Sequence, residues 1–401
     1  MKLLVLCPIL PHAPVDGDRM RAWHWLRLLK ARGHQLGLAC FVRSRAELDP
    51  KRTAALRGLL SEGLHPVVLP GWRIKANAAR AFFGREPFNV AAYSSPAMRR
   101  LAQGLAASRG FEAVLAYRLR MAPYALGLGL PAALDYCDAM SAYALQRYEQ
   151  ASPGSLAQAY WGVEQGRLMG YEASLAGRFG ASFTNGEGDR RYLASLQAGG
   201  PGLSSLPNGV DFDYHHPDEA QPRDPLAVCF VGQLGYAPNW QAALEFGQAS
   251  LPRVRRALPG AHLFLVGGGA PKALAPVLED RAVLAPGFVP DVRPWVQRSA
   301  VALCTVRTAT GIQNKLLEAM ALGTPVVASP LAARAVGAED GRHLLAADGP
   351  QAVAEAVIRL LKDPGLGRSL AAEALGFVRQ GYDWDKSGAL LDAGLRSLKG
   401  V

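Results

Sequence analysis

Short apolar runs alternate with helical segments along the whole chain, the signature of parallel α/β architecture. In the first half the runs predicted as strands are 2–7, 36–42, 66–69, 113–117, 131–135 and 181–184. The clearest helix between them is 18–32, where Trp23, Leu26, Leu29 and Lys30 fall at helical spacing and Gly33 follows as a stop. A second long helix is expected over 155–177. The pattern breaks at PNGVDFDYHHP (207–217), where Asn208-Gly209 is a strong turn signal and Pro217 closes the stretch. Alternation then restarts, with strands expected at 226–232, 261–267, 300–306, 325–329 and 343–346 and helices at 313–322, 350–362 and 366–380.

A pattern that runs, stops and restarts implies two Rossmann-like domains facing each other. They are placed at 1–207 and 218–382, with an interdomain linker at 208–217. A last helix within 383–401 is expected to cross back to the first domain. The length of 401 residues suits two domains of ordinary size. No repeat of fixed period and no low-complexity tract interrupts the scheme.

Composition changes little in this picture. Half the residues are hydrophobic and mean hydropathy is near zero, as for a globular chain that is not disordered. No apolar run approaches the roughly 18–20 residues needed to span a bilayer. The N-terminal MKLLVLCPILPHAP has one lysine, a short apolar run and prolines at 8, 11 and 14, so it reads as a buried first strand rather than a signal peptide. The five cysteines (Cys7, Cys40, Cys137, Cys229 and Cys304) form no CxxC pair, which indicates neither a zinc site nor a disulfide framework. A reducing cytoplasm is the expected setting.

Charge adds more. Residues 1–200 hold 25 Lys/Arg against 14 Asp/Glu, whereas residues 201–401 hold 19 of each, so the whole net charge of +11 sits in the first half. Its densest patch sets Arg73, Lys75, Arg80, Arg85, Arg99 and Arg100 against Glu86 alone, with Trp72, Phe82, Phe83, Phe88 and Tyr93 interleaved. Basic and aromatic residues on one surface suggest an anionic membrane face or a phosphorylated acceptor.

The stretch with the most chemistry is RTATGIQNKLLEAMALGTPVVAS (307–329). A strand ends near Val306, a loop containing Gly311 follows, and a helix runs to about Leu322, where Gly323 stops it. This puts a glycine loop and a helix N-terminus at the carboxyl end of a parallel strand, where open α/β sheets bind ligands. Free backbone N–H groups and the positive end of the helix dipole suit a diphosphate. Lys315 in the first turn and Arg307 in the loop can add positive charge. Glu318 lies about five residues into the helix, roughly 7–8 Å along its axis. That is the reach from a diphosphate to its ribose, whose hydroxyls a carboxylate can accept from.

GIQNKLLEAMALGTPVVAS resembles the donor-site motif of retaining glycosyltransferase family 4 (group 1). So do FVGQLGYAPN (230–239), LFLVGGG (263–269), GFVPDVRPW (287–295) and the linker's PNGVDFD. In the first half GDRMRAWHWLRLLKARGH (17–34), EPFNVAAYSSPAMRR (86–100) and DYCDAMSAY (135–143) are similar to exosortase-associated exopolysaccharide sugar transferases, a subgroup of that family. The resemblance implies a GT-B fold of two Rossmann-like domains across a cleft. It implies that Glu318 binds the donor ribose and that Gly311, Ile312, Gln313 and Asn314 line the diphosphate. The family's first glutamate falls at Thr310, and its usual lysine after the first strand of the second domain is missing near Gly232 and Asn239. Arg307 and Lys315 thereby become the phosphate candidates. DYCD places Cys137 and Asp138 where a His-Asp pair is common, so Asp138 joins Lys315 and Arg307 as a candidate for the chemical step. Gly17 and Arg19 lie in the loop after strand 1, across the cleft in the family; Asp16 or Asp18 can cap the helix that follows.

Several other signals are discounted. Asp211-Phe212-Asp213 spells D-x-D but sits inside the linker motif and is read as structural. Gly267-Gly268-Gly269 is not GxGxxG. His215-His216 lacks further metal ligands nearby. Glu164, Glu172 and Glu187 are read as a salt-bridged helix face.

The expected protein is a cytoplasmic transferase, peripheral at the inner face of the cell membrane. It takes a nucleotide-diphosphate sugar and a glycan or polyprenyl-linked acceptor, retains configuration, and needs neither metal nor other cofactor; no nucleic acid is expected as a partner. The alternatives are a sugar-nucleotide epimerase on the same fold, or a non-catalytic membrane- or polysaccharide-binding component.

Overall fold

The computed structural model describes residues 1–11, 17–196, 202–218, 220–308 and 310–398. They fall into two compact units: Met1–Asn208 together with the chain from Trp384 onward, and Gly209–Asp383.

The first unit is built on a seven-stranded sheet of β1 (Lys2–Cys7), β2 (Gln35–Val42), β3 (Leu64–Val68), β4 (Ala113–Tyr117), β5 (Ala132–Cys137), β6 (Ala181–Thr184) and β7 (Leu203–Ser205), in the order β3-β2-β1-β4-β5-β6-β7. Every pairing is parallel. Strands β4 and β5 are buried along their whole length, as parallel strands covered by helices on both faces must be. The helix Gly17–Ala31 ends where Gly33 takes up φ +82°, a conformation glycine adopts without strain. Asp16 lies outside the described residues, as does the side chain of Asp18.

The last helix, Trp384–Ser397, packs on this unit. Trp384 stacks on His24 at 4.2 Å and meets Trp25 edge-on at 5.5 Å. Ser387 donates to the Pro207 carbonyl at 2.8 Å, and His34 Nε2 lies 2.6 Å from Asp392. Small residues allow the close approach: a Cβ on Gly394 would fall 2.7 Å from the Phe183 ring.

The second unit carries six parallel strands, β8 (Asp224–Val231), β9 (His262–Val266), β10 (Val283–Gly287), β11 (Ser299–Cys304), β12 (Val326–Ala328) and β13 (Leu345–Ala346), ordered β10-β9-β8-β11-β12-β13. Helices Gly349–Lys362 and Pro364–Gly381 fall within two residues of the expected spans. The segment after Asn208 is held by this unit: Val210 N–H donates to Tyr382 at 2.8 Å, Arg293 stacks on Tyr214 at 3.7 Å and donates to its carbonyl, and Gln297 donates to His216 at 2.7 Å. Asp211 accepts from the Tyr214 N–H in a turn, a structural role for the D-x-D triplet.

Strands β7 and β10 were not expected. Both are edge strands of three and five residues, and β10 contains Pro286, which an edge tolerates because no ladder donor is needed there. The acidic helix face also needs correcting. Glu187 is ion-paired with Arg190 and Arg191, but Glu164 and Glu172 are buried. Glu164 accepts from the backbone N–H of Phe88 and Asn89 at 2.8 and 2.9 Å. Glu172 accepts from those of Met140 and Ser141 and from the Ser141 hydroxyl. Each carboxylate caps the start of another helix, where orphan donors and the dipole favour an anion. Burial pushes Glu172 up to about 7 against those hydrogen bonds.

Candidate functional site

In the second sheet the strand order reverses between β8 and β11. Ligands bind open parallel sheets at the carboxyl ends beside such a switch point. The loops that leave β8 and β11 there, with the helices they lead into, carry most of the candidate residues.

After β8, the Gly232 N–H donates to the Val266 carbonyl at 3.0 Å, and Leu234 donates to Gly268 at 2.9 Å. The loops of β8 and β9 are thus laced together, and Gly267, at φ +146°, makes this possible. A Cβ there would lie 1.8 Å from the Gly232 carbonyl oxygen. The GGG triplet is no dinucleotide fingerprint, but its first glycine is required by this close approach. Gly267→Ala is expected to cost about 1–3 kcal/mol of strain. That corresponds to a fall of about 2–12 °C in the melting temperature, measured calorimetrically; an unchanged value would mean that the loops separate freely.

The helix Asn314–Ala321 follows the β11 loop, with Gly311 at φ +64° and Gln313 at the cap position, its own side chain making no cap hydrogen bond. Leu316, Leu317 and Ala319–Ala321 are buried, leaving Asn314, Lys315 and Glu318 half-buried on the remaining face. Ile312 is buried beneath the loop and Thr310 is half-buried in it. The Thr305 hydroxyl is buried with no hydrogen-bond partner among the described residues.

Lys315 is the centre of this cluster. Its Nζ donates to Asn239 Oδ1 at 2.6 Å and sits 4.4 Å from the centre of the Phe230 ring. Asn239 in turn donates from Nδ2 to the Gln233 carbonyl at 3.0 Å. A Cβ on Gly232 would meet both Asn239 Nδ2 (2.9 Å) and Lys315 Nζ (3.0 Å), so glycine keeps the space where the two converge. Burial lowers the Lys315 pKa, opposed by Cys304 and Glu318. Asn239 therefore positions the lysine, and three residues that motif reading named separately are brought together.

Arg307 is placed differently. Its Nε lies 3.0 Å from Glu245 and its Nη2 3.8 Å from Asp348, so two carboxylates already share its charge. Phe288, 71% exposed after β10, packs its Cβ 3.3 Å from the position of a Gly268 Cβ. It adds an open aromatic face that motif reading did not single out, although GFVPDVRPW contains it.

The remaining candidates lie in the first unit. Gly17 opens the helix Gly17–Ala31 and Arg19 is half-buried in its first turn. Asp138 follows β5 with its carboxylate 4.0 Å from Arg118. Arg118 and Cys137, at the ends of β4 and β5, are the two non-glycine residues with positive φ among the described residues, at 69° and 67°, a strained state that clusters at functional sites. Burial pushes the Cys137 thiol far up, which makes it a poor nucleophile.

The residue most plainly missed is Arg21. It is fully buried and makes a bidentate pair with fully buried Asp135, at 2.8 and 3.1 Å. It also donates to the Leu206 carbonyl and to Asn208 Oδ1 at 2.8 and 2.9 Å. Asp135 further accepts from Trp25 Nε1 and the Cys137 N–H. The signal was present as an arginine on the apolar face of one helix and an aspartate inside an apolar strand.

Among the described residues no three His, Cys, Asp or Glu side chains come together as metal ligands, and no helix is long and apolar enough to cross a membrane. Residues 225–363 match the family model described as glycosyl transferases group 1. Phosphatidyl-myo-inositol mannosyltransferase of Mycolicibacterium smegmatis is 31% identical over 232 residues, 55% of this chain and 57% of that protein. The chain thus spans little more than half the length of that relative. Sucrose-phosphate synthase of Thermosynechococcus elongatus has a similar structure over the whole of both chains, with a TM-score of 0.74 at 16% identity. Anabaena Alr3699/HepE, solved with UDP and glucose, has a TM-score of 0.67 at 13% identity over 99% of this chain and all of its own. In sequence family the second unit is a group 1 glycosyl transferase domain, and it stands in a chain with the GT-B fold of two Rossmann-like units.

Proposed function

We propose that the protein moves a sugar from a nucleotide-diphosphate sugar to an acceptor, with the donor held by the second unit. The observation that carries this is the convergence of Lys315, Asn239 and Gly232 at the switch point of a domain that matches the group 1 family model. The diphosphate would lie against the loop 311–313 and the Lys315 ammonium, with Glu318 accepting from the ribose hydroxyls. The anomeric C–O bond to the diphosphate breaks as the acceptor's hydroxyl oxygen bonds the same carbon and gives its proton to the departing diphosphate, whose charge is met by the ammonium and the helix N-terminus, with no metal ion required. We propose retention of configuration on the family resemblance.

The acceptor side belongs, in this reading, to the basic first unit. Trp72 and Phe83 are 71% and 97% exposed, among the exposed Arg73, Lys75, Arg80 and Arg85. That surface supports a lipid-linked acceptor in exopolysaccharide or cell-surface glycan synthesis, at the inner face of the cell membrane.

The test is a thermal-shift screen against UDP, GDP, ADP, TDP and their sugars without added metal. UDP comes first because the HepE neighbour was solved with it. A ligand at 100 times its Kd should add about 2.7 kcal/mol of stability. In Glu318→Ala the donor should bind about 10- to 150-fold more weakly, the equivalent of losing about 1.5–3 kcal/mol of charge-assisted hydrogen bonding. Unaltered donor affinity in that variant would remove Glu318 from the site. Nucleotide-sugar binding without transfer to any acceptor would instead favour the non-catalytic reading, to which Thr310 and the carboxylate-bound Arg307 lend support.

A further inference from the structure

The first unit holds a cavity of about 300 Å3, the lower end of the volumes that take organic ligands. It lies between the helices Gly71–Arg80, Met140–Gln150 and Leu156–Ser174, close to the carboxyl ends of β4 and β5. Its lining sets the rings of Tyr93, Tyr143, Tyr160 and Trp161 beside the polar Asn89, Arg120 and Glu164.

These rings continue to the surface. Phe82, 62% exposed, touches Phe88 at 4.6 Å; Phe88 stacks on Tyr160 at 5.2 Å; Tyr160 meets Trp161 at 5.1 Å, and Trp161 meets Tyr143 at 5.8 Å. An unbroken aromatic path thus leads from an exposed apolar edge into the cavity. Such edges mark interaction sites when polar groups rim them.

Arginines border these rings. Arg120 lines the cavity, lies 4.6 Å over Tyr93 and donates to Asn89 at 2.6 Å. Arg43 lies 5.4 Å over Tyr93 and donates to its hydroxyl, Arg147 lies 5.6 Å from Trp161, and Arg167 lies 4.6 Å over Phe88 while donating to the Ala81 and Glu86 carbonyls. The acid in the lining, Glu164, has its carboxylate bound to two backbone N–H groups. Aromatic rings bordered by guanidinium groups match a ligand that is apolar at one end and phosphorylated at the other.

We infer that this cavity seats the hydrocarbon of an anionic, phosphate-bearing amphiphile, with the phosphate at Arg120, and that the occupant is the lipid part of the acceptor. The assignment to the acceptor rests on the transferase reading above; the binding chemistry does not.

The experiment titrates the full chain with dodecyl phosphate below its micellar concentration and follows intrinsic fluorescence, to which Trp161 contributes from the cavity wall. Saturable binding is expected, at least tenfold tighter than for uncharged dodecyl maltoside and absent with inorganic phosphate. Ala78→Phe, which fills the cavity from a half-buried position, and Arg120→Gln should each weaken it at least tenfold while the UDP thermal shift is kept. Equal affinity for the two dodecyl compounds, or undiminished binding in Ala78→Phe, overturns the inference. Sedimentation with phosphatidylglycerol vesicles separates the two sources of such a ligand. Ala78→Phe that still binds vesicles like wild type supports a seat for one lipid molecule, whereas parallel loss makes the cavity a bilayer anchor and overturns its assignment to the acceptor. Failure of UDP to bind, with dodecyl phosphate binding intact, removes the transferase reading and the acceptor assignment but leaves the cavity's ligand chemistry standing.

Discussion

Arg21→Ala is expected to destabilise the first unit by about 3–5 kcal/mol, the usual cost of removing one partner of a buried ion pair. Among the described residues, the change leaves the fully buried Asp135 carboxylate with the Trp25 and Cys137 donors alone and strips donors from the Leu206 carbonyl and Asn208. Against a typical total of about 5–15 kcal/mol the loss is severe. Urea denaturation followed by tryptophan fluorescence should show the first unit unfolding earlier, because Trp25 and Trp384 report from beside the pair. The donor-induced shift of the second unit should persist. The double change Arg21→Met with Asp135→Leu should recover much of the loss, since neither charge is then stranded. A single variant as stable as wild type would mean that water or neighbouring groups compensate Asp135, and the pair would lose its structural role.

That pair also shows where sequence reading stops. The alternation of apolar runs located the longer strands because each must be apolar along its length to be buried on both faces. It could not order them, and the switch point between β8 and β11 follows from order alone. Edge strands β7 and β10 escaped for the opposite reason: they are short and only partly buried, so their burial leaves little trace in the sequence. Arg21 and Asp135 stand 114 residues apart, and nothing local tells either that the other will neutralise it.

The candidate site divides the same way. Gly311, Lys315 and Glu318 are legible because a strand, a glycine loop and a helix follow one another in the chain. That Asn239 holds Lys315, and that Gly232 leaves room for both, is a contact between the segments that follow β8 and β11. Arg307 appeared in the sequence as another loop cation, and only its two carboxylate neighbours distinguish it from Lys315. Glu164 and Glu172 were hidden by the same blindness to partners: a glutamate on a helix face looks solvated until the backbone N–H groups it caps are known.

The contrast between the two cations leads to the second large effect. Lys315→Met should lower kcat by about 10²–10³-fold, the range seen when a single pre-organised group is removed from a developing negative charge, or about 2.7–4 kcal/mol. Donor affinity should fall as well, since the diphosphate already meets the ammonium in the ground state, but by less than kcat, because the charge grows as the diphosphate departs. Arg307→Gln should cost less, since its guanidinium is half-exposed and already paired with Glu245. The pH dependence has a definite sign. Burial holds the Lys315 pKa below its ordinary 10.5, and an incoming diphosphate favours the charged form and raises it. Donor binding should therefore take up protons at alkaline pH and weaken as pH rises through the lowered value of the free protein. Calorimetric titration in two buffers of different ionisation enthalpy measures that uptake directly. Lys315→Met should abolish it, whereas Arg307→Gln should leave it intact, and uptake surviving in Lys315→Met would place the titrating group elsewhere.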